Sequence, residues 1–443
     1  MSVRARNPKG RNPLYGDMSL TGTAFLYTAV ALAALALALP FLLWTRLRGP
    51  RAVRAALRAL MLLFAQTTAV TLVFVLVNNS NNLYDNWADL LGTGNHVQRA
   101  ADLGADGTGG IAYRKLPKVK QDFEQADGPR MHEAGGVRVT QLKGRVSGVS
   151  AEVYVWLPPQ YDDPAYKDKK FPVVELLSGY PGSAKAWFGS MHVHEQLEPL
   201  MRAGRVAPFI LVSPRTNLVA KADTGCANIP GTVNADTWLS IDVPKMITDN
   251  FRALPAPDGW AAAGYSAGAH CAAKLAVAHP DRYRAAISLS GYNDPIGERD
   301  SLANQSPALR RANNPYVLLR EARTPPRIAL YVSGEAGDGY EAAVALAQAA
   351  KAPTTVRPVF LPRSAGGHTM ALWRPQVPVA FRWLTAELSG KAAGAHPGAG
   401  SPAAPGAGPH GRPATPHGPS SAGSTPAELA SGTSSRAGAG RRH

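Results

Sequence analysis

The stretch Ala261-Ala262-Ala263-Gly264-Tyr265-Ser266-Ala267-Gly268-Ala269-His270-Cys271 reads as the end of a buried strand, a tight turn and the start of an Ala-rich helix. It contains G-x-S-x-G centred on Ser266. A serine on such a strand-turn-helix corner is held in a strained conformation, with its oxygen lifted above the sheet. Gly264 and Gly268 fit this reading because a Cβ at either position would clash where helix and strand close up. Ser266 is therefore the candidate nucleophile. The pentapeptide is short, and in a chain rich in Gly and Ser its context decides its meaning.

A serine nucleophile needs a base, an acid that orients the base, and two N–H donors for the oxyanion. The base is assigned to His368, in the Gly-containing loop Ser364-Ala-Gly-Gly-His-Thr-Met-Ala-Leu-Trp373 that follows the last predicted strand. The acid belongs in Ser333-Gly-Glu-Ala-Gly-Asp-Gly339, where Asp338 is the first choice and Glu335 the alternative; Asp294 ranks third. One oxyanion donor is the N–H of Ala267, at a helix start where the dipole favours negative charge. The other falls at Gly179 or Tyr180, after a predicted strand. His279 reads as structural, and His270 as lining the site without reaching the serine proton. His192 and His194 form H-x-H with Glu195, a motif better read as a pocket rim than as a metal site. No C-x-x-C occurs, so no cysteine zinc site is expected.

The surroundings suit such a site. Val137–Leu142 and Ala151–Leu157 alternate apolar and polar residues, as half-buried antiparallel strands do. Phe171–Leu177, Phe209–Val212, Trp260–Ala263, Ala285–Leu289, Arg327–Val332 and Val356–Leu361 are nearly continuous apolar runs. Helical segments lie between them, among them Thr237–Arg252 and Tyr340–Lys351. Strands alternating with helices predict an α/β fold with a doubly wound, mostly parallel sheet over residues 135–389.

The flanks differ in texture. Residues 1–20 form a polar tail. Within residues 21–77, Thr21–Thr45 and Ala59–Val77 are uncharged and long enough, at about 1.5 Å per residue, to cross a hydrocarbon core of about 30 Å. Between them lie Arg46, Arg48, Arg51, Arg54 and Arg58. Cytoplasmic loops collect Lys and Arg, so this loop is expected inside and everything after Val77 outside. The basic N-terminal tail argues the other way, which a true start at Met18 would resolve. Residues 78–134 read as a juxtamembrane linker without chemistry of its own, with a short interfacial helix over Leu83–Leu91. Residues 390–443 are rich in Gly, Ala, Pro and Ser and read as a disordered tail. The formal net charge of +16 invites a nucleic-acid reading. Most of the excess sits in the two tails and the arginine loop, so nucleic-acid binding is not expected.

Taken together, Val153-Tyr-Val-Trp-Leu-Pro-Pro-Gln-Tyr161, Phe171-Pro-Val-Val, Leu176-Leu-Ser-Gly-Tyr-Pro-Gly182, Asp236-Thr-Trp-Leu-Ser-Ile-Asp-Val-Pro244, Gly264–Gly268 and Gly366-Gly-His368 with Trp373 resemble the Putative esterase family of α/β-hydrolases. That family includes esterase D (S-formylglutathione hydrolase) and the secreted mycolyltransferases, and the two spans resemble membrane esterases of actinobacterial type. The resemblance implies Ser266 as nucleophile, His368 as base, and the N–H groups of Tyr180 and Ala267 as the oxyanion hole. It leaves Asp338 or Glu335 open, because mycolyltransferases use a glutamate where other members use an aspartate. Ser178 and Met370 depart from the family pattern. With the domain outside the membrane a disulfide can persist, and a Cys226–Cys271 pair is expected. The expected activity is that of a membrane-anchored extracytoplasmic serine esterase acting on an ester or acyl-lipid substrate, with no metal or organic cofactor. The alternatives are a mycolyltransferase-like acyltransferase using an envelope lipid or sugar, and a non-catalytic cell-surface module.

Overall fold

The computed structural model describes residues 19–128, 130–363 and 366–392. The tails expected over residues 1–20 and 390–443 thus lie almost wholly outside the described residues.

Among the described residues eleven strands form: β1 (Glu124–Gln125), β2 (Arg138–Lys143), β3 (Ser150–Trp156), β4 (Val173–Leu177), β5 (Ile210–Pro214), β6 (Asn228–Ile229), β7 (Val233–Asn234), β8 (Trp260–Tyr265), β9 (Ala285–Leu289), β10 (Ala329–Gly334) and β11 (Thr355–Phe360). Nine of them make one sheet in the order β1-β2-β3-β5-β4-β8-β9-β10-β11, and β6 and β7 pair as a small ribbon. From β5 to β11 the neighbours run parallel. β1, β2, β3 and β5 pair antiparallel at the other end. This is the mostly parallel sheet that the apolar runs predict, and it agrees with the α/β-hydrolase fold that the resemblance implies.

The sequence pattern follows burial. Every residue of β4, β8, β9 and β10 is buried, as expected for parallel strands covered by helices on both faces. The edge strand β11 is largely exposed and carries Pro358, which an edge tolerates. β8 is mostly Ala and Gly, so the equally small-residued helix Ala267–Ala278 presses close to it. Trp156, Trp187, Trp238 and Trp260 fill the two faces of the sheet and are almost wholly buried. The helix expected over Thr237–Arg252 starts with an α-helical turn at Ala235–Thr237, passes through a π-helical turn at Trp238–Asp242 and is α-helical again over Val243–Asn250.

Helix α1 (Thr23–Leu43) and helix α2 (Arg51–Asn81) are each long and apolar enough to cross a membrane. Only 11% and 6% of their most apolar windows are buried, whereas a core helix of the same composition would be covered. Arg51, Arg54 and Arg58 fall on the first turns of α2, so the connection is shorter than the arginine loop expected. Arg58 donates to the Trp44 carbonyl at 3.0 Å and lies over its ring.

Residues 78–134, expected to be a linker, pack along the domain. Val97 bridges to Val149, Leu103 joins Val146 and Ile241 in a small cluster, and β1 completes the sheet edge. Arg215 binds Asp89 at 3.0 Å and Glu152 at 2.5 Å. Burial acts to lower the Arg215 guanidinium, but these carboxylates outweigh it and keep it more firmly protonated than usual. Asp85 is farther, at 3.5 Å, and burial raises its carboxyl, so Asp89 and Glu152 supply the countercharge. The segment looks like a linker in sequence because its polar residues meet polar partners on the domain rather than apolar ones.

Candidate active site

Helix α3 (Ala267–Ala278) starts directly after Ser266, whose backbone sits at φ 57°, ψ −127°. A left-handed φ at a serine costs of order 1–3 kcal/mol and persists only where the surroundings enforce it. Here the Ser266 N–H donates to the Leu289 carbonyl on β9 at 3.0 Å, and its carbonyl accepts from the N–H groups of Ala269 and His270. A Cβ on Gly264 would run into the Gly268 carbonyl, and one on Gly268 into the Leu177 carbonyl. Both glycines of the motif are thus sterically required.

The structure brings three of the sequence-identified residues together. His368 Nε2 lies 2.8 Å from Ser266 Oγ, and His368 Nδ1 lies 2.8 Å from Asp338 Oδ1. The imidazole rests edge-on against Trp373 at 4.8 Å, and Trp373 stacks on Tyr265 of β8 at 4.8 Å. Glu335 takes a different position: its carboxylate accepts from the Gly367 N–H at 3.4 Å, on the backbone of the histidine loop. Asp294 is elsewhere, capping the turn at Ile296 and pairing with Arg310 at 2.9 Å.

The loop after β4 runs beside the serine. A Cβ added to Gly179 would stand 3.0 Å from Ser266 Cβ. Asn217 holds this loop by donating to the Gly182 carbonyl, and Ser178 Oγ donates to the Ser183 carbonyl at 2.8 Å. Among the described residues, the N–H groups of Tyr180 and Ala267 have no hydrogen-bond acceptor, and the second begins a helix whose dipole favours an anion. The geometry can therefore pass the Ser266 proton to His368, whose imidazole Asp338 orients, beside the Gly179–Tyr180 loop and the start of α3.

Three other histidines singled out in the sequence have structural partners. His270 does not line the site: it is fully buried, stacks on Tyr292 at 4.6 Å and contacts the Tyr292 carbonyl through Nδ1 at 2.9 Å. Burial pushes it down to about 4, so it is neutral. His279 Nε2 meets Asp236 Oδ1 at 2.7 Å. His194 is not at a pocket rim; it is buried against Trp156 and Phe188, with Nε2 3.0 Å from the Arg130 carbonyl. Among the described residues no group of three or more His, Cys, Asp and Glu is placed to hold a metal.

Cys226 and Cys271 form a disulfide with Cα atoms 5.6 Å apart, at the shoulder of the elbow, as expected. Beneath it lies a cluster that sequence reasoning missed. Buried Lys274 donates to the Cys226 carbonyl at 2.8 Å and to Asp236. Burial would raise the Asp236 carboxyl, but His279 and Lys274 outweigh it and hold it well below the carboxylate range. Lys274 and Cys271 lie three apart on one helix, a spacing that could have signalled a shared face.

A family model described as Putative esterase matches residues 146–384, more than half of the chain. The chain belongs to this family. An uncharacterised protein of Corynebacterium glutamicum is 28% identical over 293 residues, covering 59% of this chain and 65% of that protein. The MPT51 antigen of Mycobacterium leprae is 46% identical over 65 residues, covering 15% of this chain and 21% of the antigen. The chain thus spans less than two thirds of the length of these relatives. Among solved structures, an S-formylglutathione hydrolase from Agrobacterium tumefaciens superposes with a TM-score of 0.48 at 14% identity, over 62% of this chain and 100% of that one.

Proposed function

We propose that this family member is a serine esterase, anchored by α1 and α2 with its catalytic domain outside the membrane. One observation carries the reading: a single imidazole spans Ser266 and Asp338, 2.8 Å from each.

In this mechanism His368 Nε2 takes the proton of Ser266 as Oγ bonds to the ester carbonyl carbon. Asp338 fixes the tautomer and balances the imidazolium. The carbonyl oxygen, now negative, is received by the N–H groups of Ala267 and Tyr180. The bond to the alcohol breaks, His368 returns the proton to the leaving alkoxide, and an acyl-serine remains. Water then attacks the acyl-serine with His368 again as base, giving the carboxylic acid and free Ser266. An alcohol in place of that water makes the same residues an acyltransferase. The three residues stand in contact, which weighs against a non-catalytic surface module.

The orientation rests on two features. Cytoplasmic segments collect Arg, which puts Arg46–Arg58 inside. Phe25, at the start of α1, packs against Trp87 beyond the end of α2 at 5.3 Å, so the far ends of both helices lie on the side of the domain.

Labelling with a fluorophosphonate tests the activity. The wild-type protein is expected to be labelled and Ser266→Ala to be inert; a wild-type protein that resists the reagent while folded overturns the reading.

A further inference from the structure

A cavity of about 300 Å³ adjoins the oxyanion loop. Tyr180, Pro181 and Gly182 line it, together with residues between Leu83 and His96. None of Ser266, Asp338 and His368 lines it; the Tyr180 loop stands between it and the serine, and Gly179 of that loop abuts Ser266. Two other cavities, of about 470 and 840 Å³, lie against Tyr113–Lys120 and Val243–Asn250 and touch no residue of the reaction centre.

Two properties of the first cavity stand out. Its formal charges balance, Asp89 and Asp300 against Arg215 and Lys221, with Tyr84, Tyr180 and His96 also lining it. A balanced set of donors and acceptors flanked by aromatic faces suits a neutral hydroxylated group, since an anion or a cation would leave one sign unpaired. Its lining also continues the membrane helices. Leu83 follows the end of α2 by two residues. The short helix Trp87–Leu91 touches the start of α1 through Phe25 and exposes Leu91 by 61% and Trp87 by 41%. Half-exposed aromatic and apolar side chains beside span ends sit at headgroup depth.

We propose that this cavity seats the uncharged, hydroxyl-bearing head of a membrane amphiphile, presenting that molecule's acyl ester to Ser266 from the adjoining leaflet. The proposal rests on the esterase reading and names its substrate class. Residues 83–96, which precede the part of the chain matched by the family, make the site specific to a bilayer-resident ester.

The test uses the full-length protein in phosphatidylcholine vesicles carrying either 1-oleoylglycerol or 1-oleoyl-lysophosphatidylglycerol, esters with the same acyl chain and a neutral or an anionic head. The kcat/KM for the neutral ester is expected to exceed that for the anionic one by about tenfold or more. Asp300→Lys is expected to move this ratio toward the anionic ester by about fivefold, and Lys221→Glu to move it the other way. Both side chains are exposed, and loss of folding would lower both rates together without moving the ratio. A ratio near one, or a ratio that neither substitution moves, overturns the proposal. Fluorophosphonate labelling in the same vesicles separates the two failures: labelled protein with an unmoved ratio sinks the cavity assignment alone, and unlabelled protein sinks the esterase reading with it.

Discussion

Asp338 Oδ1 stands 2.8 Å from His368 Nδ1, whereas Glu335, three residues earlier, meets the Gly367 N–H at 3.4 Å. The two carboxylates share one loop and have different tasks. Asp338→Asn is expected to lower kcat about 10³- to 10⁴-fold by favouring the wrong tautomer of the imidazole. Glu335→Gln keeps an acceptor for the Gly367 N–H and is expected to cost less than about tenfold. Steady-state rates on a p-nitrophenyl ester decide it; equal losses would remove Asp338 from its role.

Glu175, in the middle of β4, is fully buried, and its Oε2 lies 2.7 Å from the Tyr283 hydroxyl, which is also 3.1 Å from the Leu239 carbonyl. One hydroxyl proton cannot serve both oxygens. A protonated Glu175 resolves this by donating to Tyr283, which then donates to Leu239. Burial pushes Glu175 up to about 8, consistent with that proton. Its folded form holds the proton from the ordinary value of 4.5 up to about 8, where the unfolded chain has released it. The stability this gives is therefore full below pH 4.5 and lost as pH rises toward 8. Glu175→Gln is expected to flatten that slope, with Tm at pH 8 closer to Tm at pH 5 than in the wild type. Thermal unfolding at the two pH values checks it.

The Cys226–Cys271 bond closes a loop 45 residues apart in sequence. Chain-entropy arguments give such a crosslink about 3–4 kcal/mol. The double substitution Cys226→Ser, Cys271→Ser is expected to lose about that much, read from denaturant midpoints. A midpoint insensitive both to the substitutions and to reductant would contradict it.

The orientation predicts protease sensitivity. Protease added to intact spheroplasts is expected to digest the catalytic domain and to spare a tag placed between Arg48 and Arg51 until the membrane is breached. The reverse pattern would invert the topology.

The proposed reaction centre could be drawn from the sequence because each of its parts sits in a local pattern. Strand, elbow and helix are contiguous around Ser266, and Asp338 and His368 each sit in a Gly-rich loop after a strand. The choice between Asp338 and Glu335 was not legible, since three residues along a loop reverse direction in ways only the fold decides. The role of residues 78–134 was hidden for another reason. Asp85 and Asp89 find Arg215 about 130 residues away, and no local pattern announces an ion pair across that separation. The same holds for Lys274 beneath Cys226 and for Glu175 against Tyr283, where a charge in an apolar run marks a buried partner without naming it.

The docking of residues 78–126 bears on how the domain can be prepared in soluble form. Cutting at residue 135, where the esterase pattern begins, removes β1 and the carboxylate of Asp89. Arg215, with 7% of its side chain exposed, would keep only Glu152 at close range. Ser190 would lose Asn82 as a donor and Ser80 as an acceptor. A water-soluble catalytic unit must therefore begin no later than Asn78, at the last turn of the second apolar helix.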